Sequence, residues 1–424
     1  MSRSGMSNMA KGNTSKSAVG ITTALSFCLM ANLAPLMTFP AVVPEVSLAW
    51  NLSATESGWI GGIYFAGYAA AVPVLASATD RYDGRWIVAG SSLLGAAAGL
   101  AFAVLANDFW LALIFRFLSG IALAGVHMPG LKLITERTKG AEQARGTAIY
   151  TSIYAVGSAG SFLLAGAVDA VFGWQVMFHV AGAIPLLGIL AIARLSPVER
   201  SPAPAGPTLA FGHVVRNRPF MAYVFGFAGN TWEVFGIRVW FVACLAWSLS
   251  LPGNELDLPN LAVIGGLASL AGVPVSIAVA ELATKWRRSR VIVATCLISV
   301  VVCIALAATV GSSIAVVLTL LVLLQITSFA DVGALSSGAV ALSDPARRGA
   351  ALAVYAFAGF TTGFLGPVTI GFAIDWFGGP ASRSGWTAAF LVMAIGSLAA
   401  GIAVWFARHN DRTIDDQAVD GDAL

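Results

Sequence analysis

Twelve long apolar runs, separated by short polar stretches, constrain this chain more than any other feature of its sequence. Lipid offers no hydrogen-bond partners to backbone N–H and C=O groups, so a helix of about 20 apolar residues is the unit that crosses a bilayer. Only 11% of the residues are charged, whereas soluble domains carry about 25%, and the alternation of barrel strands is absent. The sequence therefore predicts an all-α membrane protein with twelve transmembrane helices, at residues 18–42, 57–79, 86–106, 109–134, 146–171, 174–194, 219–248, 259–283, 290–310, 313–342, 349–375 and 386–407.

Positive charge is concentrated on one side of the predicted membrane. Cytoplasmic loops are enriched in Lys and Arg, and twelve spans counted from a cytoplasmic N-terminus put 21 of the 24 Lys and Arg residues in or beside inner segments. Only Arg383 falls in an outer loop, while Arg116 and Arg238 fall inside spans. We therefore expect a multi-pass protein of the bacterial cytoplasmic (inner) membrane, with both termini in the cytoplasm.

Composition divides the chain into five segments. A Pro-rich stretch at 195–207 lies between the sixth and seventh spans and is typical of a linker. Both chain ends are polar and lack apolar periodicity, which favours disorder. We expect a disordered cytoplasmic tail at 1–17, an N-terminal six-helix bundle at 18–195, a cytoplasmic linker at 196–218, a C-terminal six-helix bundle at 219–407 and a disordered cytoplasmic tail at 408–424.

The two predicted bundles share an internal repeat. Ile60-Gly61-Gly62 in the second span recurs as Ile264-Gly265-Gly266 in the eighth. Gly173-Trp174 before the sixth span recurs as Gly385-Trp386 before the twelfth, in the same order and at a similar offset. A duplicated membrane protein of this kind binds its solute between the halves, near the bilayer midplane, and rocks one half against the other. The repeat therefore predicts a transport mechanism as well as a fold.

The loop after the second span reads Asp80-Arg81-Tyr82-Asp83-Gly84-Arg85, and the fourth span contains Arg116-Phe-Leu-Ser-Gly120. With these motifs and the repeat, the chain resembles the major facilitator superfamily over essentially its whole length. The resemblance implies the major facilitator fold, with two pseudo-symmetric six-helix bundles, and a loop that latches the cytoplasmic side in one conformation. Asp83 is one residue more than the family motif contains. The residues to which the resemblance assigns gating are Asp80, Arg81 and Arg85, with Glu281 in a degenerate second copy.

The substrate signatures of the superfamily are missing from this chain. In drug-proton antiporters the fifth span carries G-x-x-x-G-P, but here it reads Gly157-Ser-Ala-Gly160-Ser-Phe without the proline. The Pro-Glu-Ser-Pro-Arg element of sugar porters after the sixth span is absent too. The resemblance therefore implies fold and mechanism and leaves the substrate open.

Ionisable side chains inside spans are functional candidates because they are costly in hydrocarbon. Glu233 and Arg238 both lie in the seventh span. Their spacing of five residues separates them by about 140° on an ideal helix, so we expect no simple ion pair between them. Glu233 is interpreted as a proton carrier or cation ligand and Arg238 as an anchor for a carboxylate, and the alternative makes each half of a structural pair with another helix.

Other polar side chains inside spans complete the candidate set. Arg116 and His127 are eleven residues apart, so they share one helix face, which we expect to line the cavity. The alternatives are that Arg116 pairs with another group and that His127 donates a hydrogen bond to a backbone carbonyl. Asp331 is a candidate proton site or a solvated carboxylate. Aromatic stripes can line the solute path or simply pack the helices together. The further candidates for substrate contact or for such stripes are Asn32, Tyr64, Tyr68, Tyr154, Asn230, Trp232 and Gln325.

These features predict a secondary active transporter that moves a small solute by alternating access, coupled to protons through Glu233, Asp331 or His127. Arginine in both halves favours an organic anion as substrate. No G-x-x-x-x-G-K-[ST], H-E-x-x-H or G-x-S-x-G motif occurs, so we expect neither ATP drive nor enzymatic activity. The alternatives are a proton-driven exporter of drugs or other hydrophobic or cationic compounds, and a non-transporting membrane receptor.

The remaining expectations concern partners and local structure. We expect a monomer in the lipid bilayer that binds a small molecule and protons, with no cofactor, metal or nucleic acid. The four cysteines lie in apolar runs and are interpreted as small core residues. Ser53 and Glu56 have the spacing of a capping box that starts the second span.

Overall fold

A computed structural model describes residues 3–193, 195–196, 211–344 and 347–407. The helices of the first half are α1 (Arg3–Leu33), α2 (Thr38–Ala41), α3 (Val43–Trp50), α4 (Ala54–Ala78), α5 (Gly84–Leu105), α6 (Phe109–Arg137), α7 (Gly140–Phe172), α8 (Trp174–Ala183) and α9 (Pro185–Ala193). Those of the second half are α10 (Phe211–Arg216), α11 (Arg218–Leu249), α12 (Leu261–Lys285), α13 (Arg288–Thr309), α14 (Ile314–Ala330), α15 (Val332–Leu342), α16 (Arg348–Trp376) and α17 (Arg383–Ala407).

The helices confirm an all-α membrane fold. Within the described residues, 11 helical segments are long and apolar enough to cross a bilayer, and Ala18–Leu33 of α1 is a shorter apolar helix in the place of the first span. Two of these segments are interrupted: the one at the sixth predicted span, between α8 and α9, and the one at the tenth predicted span, between α14 and α15. Each predicted span therefore has a helical counterpart.

The first span ends earlier than predicted. The sequence predicted a helix through residue 42, but α1 stops at Leu33 and the chain turns before the short α2 and α3. Pro35 explains the stop, because proline disfavours helical conformation in the residue before it and has no N–H to donate. Hydropathy missed this break because the turn and α2 are as apolar as the helix before them.

The chain ends and the linker differ in part from the predicted segments. Helix α1 already begins at Arg3, inside the predicted disordered tail 1–17, because an established helix gains one hydrogen bond for each residue that it adds. Helix α10 occupies 211–216 of the predicted linker. Residues 197–210 and the predicted tail at 408–424 lie outside the described residues. The five segment boundaries remain predictions.

Side-chain caps mark the starts of several helices. The predicted capping box is confirmed: the Ser53 N–H donates to Glu56 Oε2 at 2.8 Å, and the Glu56 N–H donates to Ser53 Oγ at 3.1 Å. Asp108 and Asn260 accept backbone N–H groups at the starts of α6 and α12. These contacts satisfy donors that helix ends leave without an intrahelical partner.

The two bundles pack through related helix pairs, α4 with α16 and α7 with α12. A Cβ added to Gly62 of α4 would lie 2.5 Å from the Phe364 carbonyl oxygen of α16, and one added to Gly266 of α12 would lie 2.7 Å from Leu163 of α7. The repeated glycines of the sequence therefore occupy equivalent positions in the structure, where only a hydrogen side chain permits this approach.

The membrane protein has two faces that we name by their loops. The linker face holds the end of α4 and the start of α11, and the distal face holds the turn at Asn51–Ser53 and the start of α17. Contacts between the bundles are close at the distal half, where a Cβ on Gly58 would lie 2.4 Å from the Pro367 carbonyl oxygen and one on Gly371 would lie 2.3 Å from the Ala54 carbonyl oxygen. The distal ends of the two bundles are therefore packed together.

Candidate functional site

A group of rings fills the interface between the bundles at mid-depth, and we call it the central aromatic cluster. Its shortest ring-centroid distances are 3.9 Å between Phe65 and Phe235 and 4.0 Å between Tyr68 and Phe360. Each of these pairs joins one bundle to the other. The cluster consists of Phe65 and Tyr68 of α4, His127 of α6, Tyr154 of α7, Phe235 of α11 and Phe360 of α16.

Arg238 of α11 extends from the second bundle into this interface. Its Nη1 donates to Ser158 Oγ of α7 at 2.9 Å, and its guanidinium lies 5.3 Å from the ring centroid of Phe329. The residue is 4% exposed, and no carboxylate among the described residues forms an ion pair with it. A buried cation without a counter-ion is costly, so the structure holds a charge here that an anion could neutralise.

The cluster also contains a polar pair and a spare hydroxyl group. Tyr68 Oη and His127 Nδ1 are 2.7 Å apart, with the direction of donation set by the histidine tautomer. The His127 ring is stacked on Tyr154, with centroids 5.0 Å apart. Tyr154 Oη is buried and has no hydrogen-bond partner among the described residues. Three candidates from the sequence, His127, Tyr68 and Tyr154, therefore lie together in the structure.

Glu233 lies away from the aromatic cluster, inside the second bundle. Its carboxylate accepts hydrogen bonds from Ser299 Oγ at 2.8 Å, from Cys303 Sγ at 3.3 Å and from Ser397 Oγ. It forms no contact with Arg238, which agrees with their separation around α11. The sequence did not identify these donors, which come from α13 and α17.

Asp331 stands at the break between α14 and α15, buried in the same bundle. Asn230 Nδ2 donates to its Oδ1 at 2.7 Å, and Cys296 Sγ donates to its Oδ2 at 3.3 Å. Cys296 is the only one of these three that the sequence analysis treated as packing alone. Asp331 is 2% exposed, so it is not the solvated carboxylate of the alternative interpretation, and Glu233 is 1% exposed.

One face of α13 contacts both buried carboxylates. Cys296, Ser299 and Cys303 are spaced i, i+3 and i+7, which places them along one side of a helix. Cys296 reaches Asp331, while Ser299 and Cys303 reach Glu233. The sequence contained the signal, since three small polarisable or hydroxyl side chains recur at helical spacing in an otherwise apolar span.

Arg116 and Asn32 are directed into the first bundle and away from the central cluster. Arg116 donates to the carbonyl oxygens of Pro35 at 2.8 Å and Leu36 at 2.9 Å, and its guanidinium lies 4.7 Å from the Tyr64 ring centroid. The expectation that Arg116 lines the cavity with His127 is therefore wrong, because the free carbonyls after α1 attract the guanidinium. Asn32 donates to the Cys28 carbonyl at 2.9 Å and to Ser92 Oγ at 3.0 Å, which packs α1 on α5.

Trp232 and Gln325 are also used for packing within the second bundle. Trp232 Nε1 donates to the Val392 carbonyl at 3.1 Å, so the indole faces α17. Gln325 Nε2 donates to Ser269 Oγ, which joins α14 to α12. Neither side chain contacts the aromatic cluster in the described contacts.

Three of the residues to which the resemblance assigns gating, Asp80, Arg81 and Arg85, lie in or next to one loop on the linker face. Asp80 pairs with Lys132 of α6, and Arg85 forms its ion pair with Asp83 at 2.8 Å. Arg85 Nη1 also donates to the Leu195 carbonyl at 2.6 Å. The additional Asp83 of the motif explains the pairing of Arg85, because it lies two residues from Arg85 and also caps α5. Arg81 and Glu281 are exposed.

Hydrogen bonds between the bundles on the distal face were not predicted. Asp375 of α16 accepts the N–H groups of Ala54 at 3.0 Å and Thr55 at 2.7 Å, at the start of α4. At the related helix pair, Asn260 Nδ2 at the start of α12 donates to Asp169 Oδ2 of α7 at 2.9 Å. Each bundle thus supplies one aspartate to a helix start of the other.

Two pseudo-symmetric helical bundles that meet around a buried polar and aromatic centre define a multi-pass membrane transporter. The chain belongs to the Major Facilitator Superfamily, whose sequence profile matches residues 21–344. The class has no enzymatic activity, in agreement with the sequence.

Similar proteins include several transporters. Protein spinster homolog 1 of Homo sapiens is 23% identical over 277 residues, which are 60% of this chain and 52% of that protein. The 3-(3-hydroxy-phenyl)propionate transporter of Escherichia coli (strain K12) is 30% identical over 154 residues, 36% of this chain and 37% of that one. The chain thus spans about half the length of the first of these relatives.

The fold itself has close structural counterparts. The crystal structure of a bacterial homolog to the human lysosomal transporter Spinster, in an inward-facing and unoccupied conformation, superposes with a TM-score of 0.76 at 18% sequence identity. The superposition covers 94% of this chain and 97% of that chain. At this identity the likeness establishes the fold.

Proposed function

We propose that this secondary transporter carries a small organic anion, an aromatic carboxylate in particular, and couples its movement to protons. Arg238 is the observation that carries the proposal. It is a buried guanidinium at the interface of the bundles, it bonds across that interface to Ser158, and no carboxylate of the described residues neutralises it. A carboxylate substrate would supply the missing charge through a bidentate contact.

The rings around Arg238 favour an aromatic substrate. Phe235 of the second bundle lies 5.9 Å from the Arg238 guanidinium, and Phe360 of the same bundle lies 6.3 Å from the ring of Tyr154 in the first bundle. Offset ring stacking contributes about 0.5–1.5 kcal/mol beyond the burial of area. The hydroxyl of Tyr154 offers one more hydrogen bond. The Escherichia coli relative is a 3-(3-hydroxy-phenyl)propionate transporter, and that protein's substrate is of this chemical kind.

Glu233 and Asp331 are the groups to which we assign proton coupling. Both are buried carboxylates without a cationic partner among the described residues, and both contact one face of α13. Loss or gain of a proton there changes the charge inside a single bundle. Hydrogen bonds from Ser299, Cys303 and Ser397 stabilise the ionised form of Glu233, whereas burial favours the neutral form. A change of protonation at Glu233 therefore changes the hydrogen bonds that it accepts from α13.

The proposed orientation rests on the distribution of charge, and the monomer is the expectation from the sequence. We propose a monomer in the bacterial cytoplasmic membrane. The linker face and both termini are assigned to the cytoplasm because inner loops are enriched in Lys and Arg. The close packing of the distal ends then corresponds to a conformation closed to the outside. Fusion of a reporter that is active only in the cytoplasm to either terminus tests the orientation.

Substitution of Arg238 tests the substrate class. Purified Arg238→Lys and Arg238→Gln proteins in liposomes should lose uptake of benzoate-type acids, because neither side chain offers two parallel donors. Wild-type protein should also be stabilised against heat by the transported acid, and the variants should not. Lys285→Gln, which removes an exposed positive charge at the end of α12, is the matched control.

The same assay separates the proposal from drug export. Uptake of aromatic acids that survives in Arg238→Gln at the wild-type level would overturn the assignment of an anion. Proton-driven efflux of hydrophobic cations by both wild type and Arg238→Gln would instead support the exporter that the sequence left as an alternative.

A further inference from the structure

A groove of about 410 Å³ lies between α1 and α7 on the outside of the first bundle. Phe27 of α1 and Ile149 of α7 line it and are 49% and 46% exposed. Apolar side chains so exposed in a membrane-spanning segment face lipid. No residue of the central aromatic cluster lines the groove.

The groove changes from charged to apolar along its length. Glu142 and Arg145 line its end near the linker face, one turn into α7. Ile149 and Ile153 follow at the next turns, so Ile153 lies about 12 Å deeper than Arg145 along the helix. Charges at the edge of the membrane and an apolar wall inside it match the two ends of a phospholipid.

A polar group in the wall of the groove has no partner. Ser26 Oγ is buried, the residue is 7% exposed, and no described residue hydrogen-bonds to it. Ser26 lies one turn beyond Thr22, whose side chain is next to Gly146 of α7. It is therefore about 6 Å deeper than Gly146, the residue after Arg145. The ester carbonyls of a phospholipid lie at a similar depth below its phosphate, where a serine hydroxyl can donate to them.

From this arrangement we infer that the α1/α7 groove binds a membrane phospholipid with a phosphoethanolamine headgroup. Arg145 pairs with the phosphate, Glu142 accepts hydrogen bonds from the primary ammonium, and Ser26 donates to an acyl ester. The two opposite charges are three residues apart on one helix face, which matches a zwitterionic headgroup. A phosphocholine has no N–H to donate to Glu142, and a phosphoglycerol has no cation.

A lipid in this groove would affect transport through the position of α7. This helix also carries Ser158 and Asp169, which contact the second bundle. A lipid wedged between α1 and α7 stabilises the arrangement of these helices that is seen here. The ligand is distinct from the transported solute, so the inference stands or falls independently of the proposed substrate.

Native mass spectrometry of the full chain tests the inference. Delipidated protein in detergent is exposed to an equimolar mixture of phosphatidylethanolamine, phosphatidylcholine and phosphatidylglycerol with identical acyl chains. We expect phosphatidylethanolamine to be retained about three- to tenfold over the other two, as one partly exposed charge-assisted contact would give. Glu142→Gln should abolish this preference while phosphate binding persists, and Arg145→Gln should weaken retention of all three lipids.

Matched variants separate the groove from general lipid adhesion. Ile153→Trp should fill the groove and reduce retention of every lipid, whereas Lys285→Gln, on the same face of the second bundle, should change nothing. Glu142→Gln is an exposed and nearly isosteric change, so folding is retained for that measurement. An ethanolamine preference that persists in Glu142→Gln, or equal retention of the three lipids by wild type, overturns the inference.

Discussion

Asp375 accepts two hydrogen bonds from Thr55, one from its backbone N–H at 2.7 Å and one from its hydroxyl at 2.6 Å, although the two residues belong to opposite bundles. The carboxylate also lies at the N-terminus of α4, where the helix dipole favours negative charge. The contact therefore joins α16 to α4 at the distal face. Any opening of this face requires that it break.

Asp375→Asn should shift the protein toward a form that is open on the distal face. Charge-assisted hydrogen bonds contribute about 1.5–3 kcal/mol each, so loss of the charge should increase the open population about tenfold or more. Spin labels on Leu48→Cys and Leu256→Cys, both exposed on the distal face, measure the change as a longer distance. The four native cysteines are all buried, so the spin label should react only with the two introduced cysteines.

Two further variants test how much each contact contributes to keeping the distal face closed. Thr55→Val removes the hydroxyl and keeps the backbone contact, so its shift should be smaller than that of Asp375→Asn. Asp169→Asn weakens the related contact with Asn260 and should act in the same direction. Identical distance distributions in wild type and Asp375→Asn would show that the contact does not hold the face closed.

Glu233→Gln should abolish proton-driven accumulation and spare exchange of substrate across proteoliposomes. The amide keeps the shape of the side chain and can still accept from Ser299, but it cannot change its charge. If both carboxylates take part in coupling, Asp331→Asn should also lose proton-driven accumulation and keep substrate exchange. If one of the two variants still accumulates substrate, coupling is assigned to the other carboxylate. Glu255→Gln, on an exposed loop, is the control. Accumulation driven by a pH gradient in both carboxylate variants would remove them from the mechanism.

Asp83 should contribute a pH-dependent part of the stability. Hydrogen bonds from Arg85 lower the pKa of the Asp83 carboxyl below its usual value of 3.8. A depressed carboxyl pKa stabilises the folded state above the unfolded pKa, and this contribution is lost as the pH falls through the lower folded value. Asp83→Asn should therefore melt below wild type at pH 7, and the difference should narrow below about pH 4. A constant difference from pH 7 to pH 3 would contradict the assignment.

Gly120→Ala should destabilise the first bundle strongly. A Cβ at this position would lie 1.9 Å from the backbone carbonyl oxygen of Tyr64, so α4 and α6 would have to separate. Overpacking of this kind costs about 1–3 kcal/mol, or more where backbone must move. Gly160→Ala is the control, because nothing lies within 4 Å of the new Cβ. Thermal unfolding in detergent measures both, and equal melting of the two variants would contradict this packing.

The number of spans and the repeat could be predicted from the sequence because both depend on local composition. A helix that crosses lipid must be apolar along its length, whatever its neighbours are. The break after Leu33 was missed, since a turn buried against Arg116 needs no polar residue of its own. The partner of Asp80 in the linker-face loop was not identified either, because Lys132 comes from a different helix.

The sequence by itself determined which side chains are ionisable inside the membrane and how far apart they stand around each helix. Only the tertiary structure decided what each one faces, because packing against neighbouring helices sets the rotation of a helix about its axis. That rotation directs Glu233 to α13 and leaves Arg238, five residues later, at the interface with Ser158. The two residues were adjacent candidates in the sequence, and the rotation of α11 gave them separate surroundings.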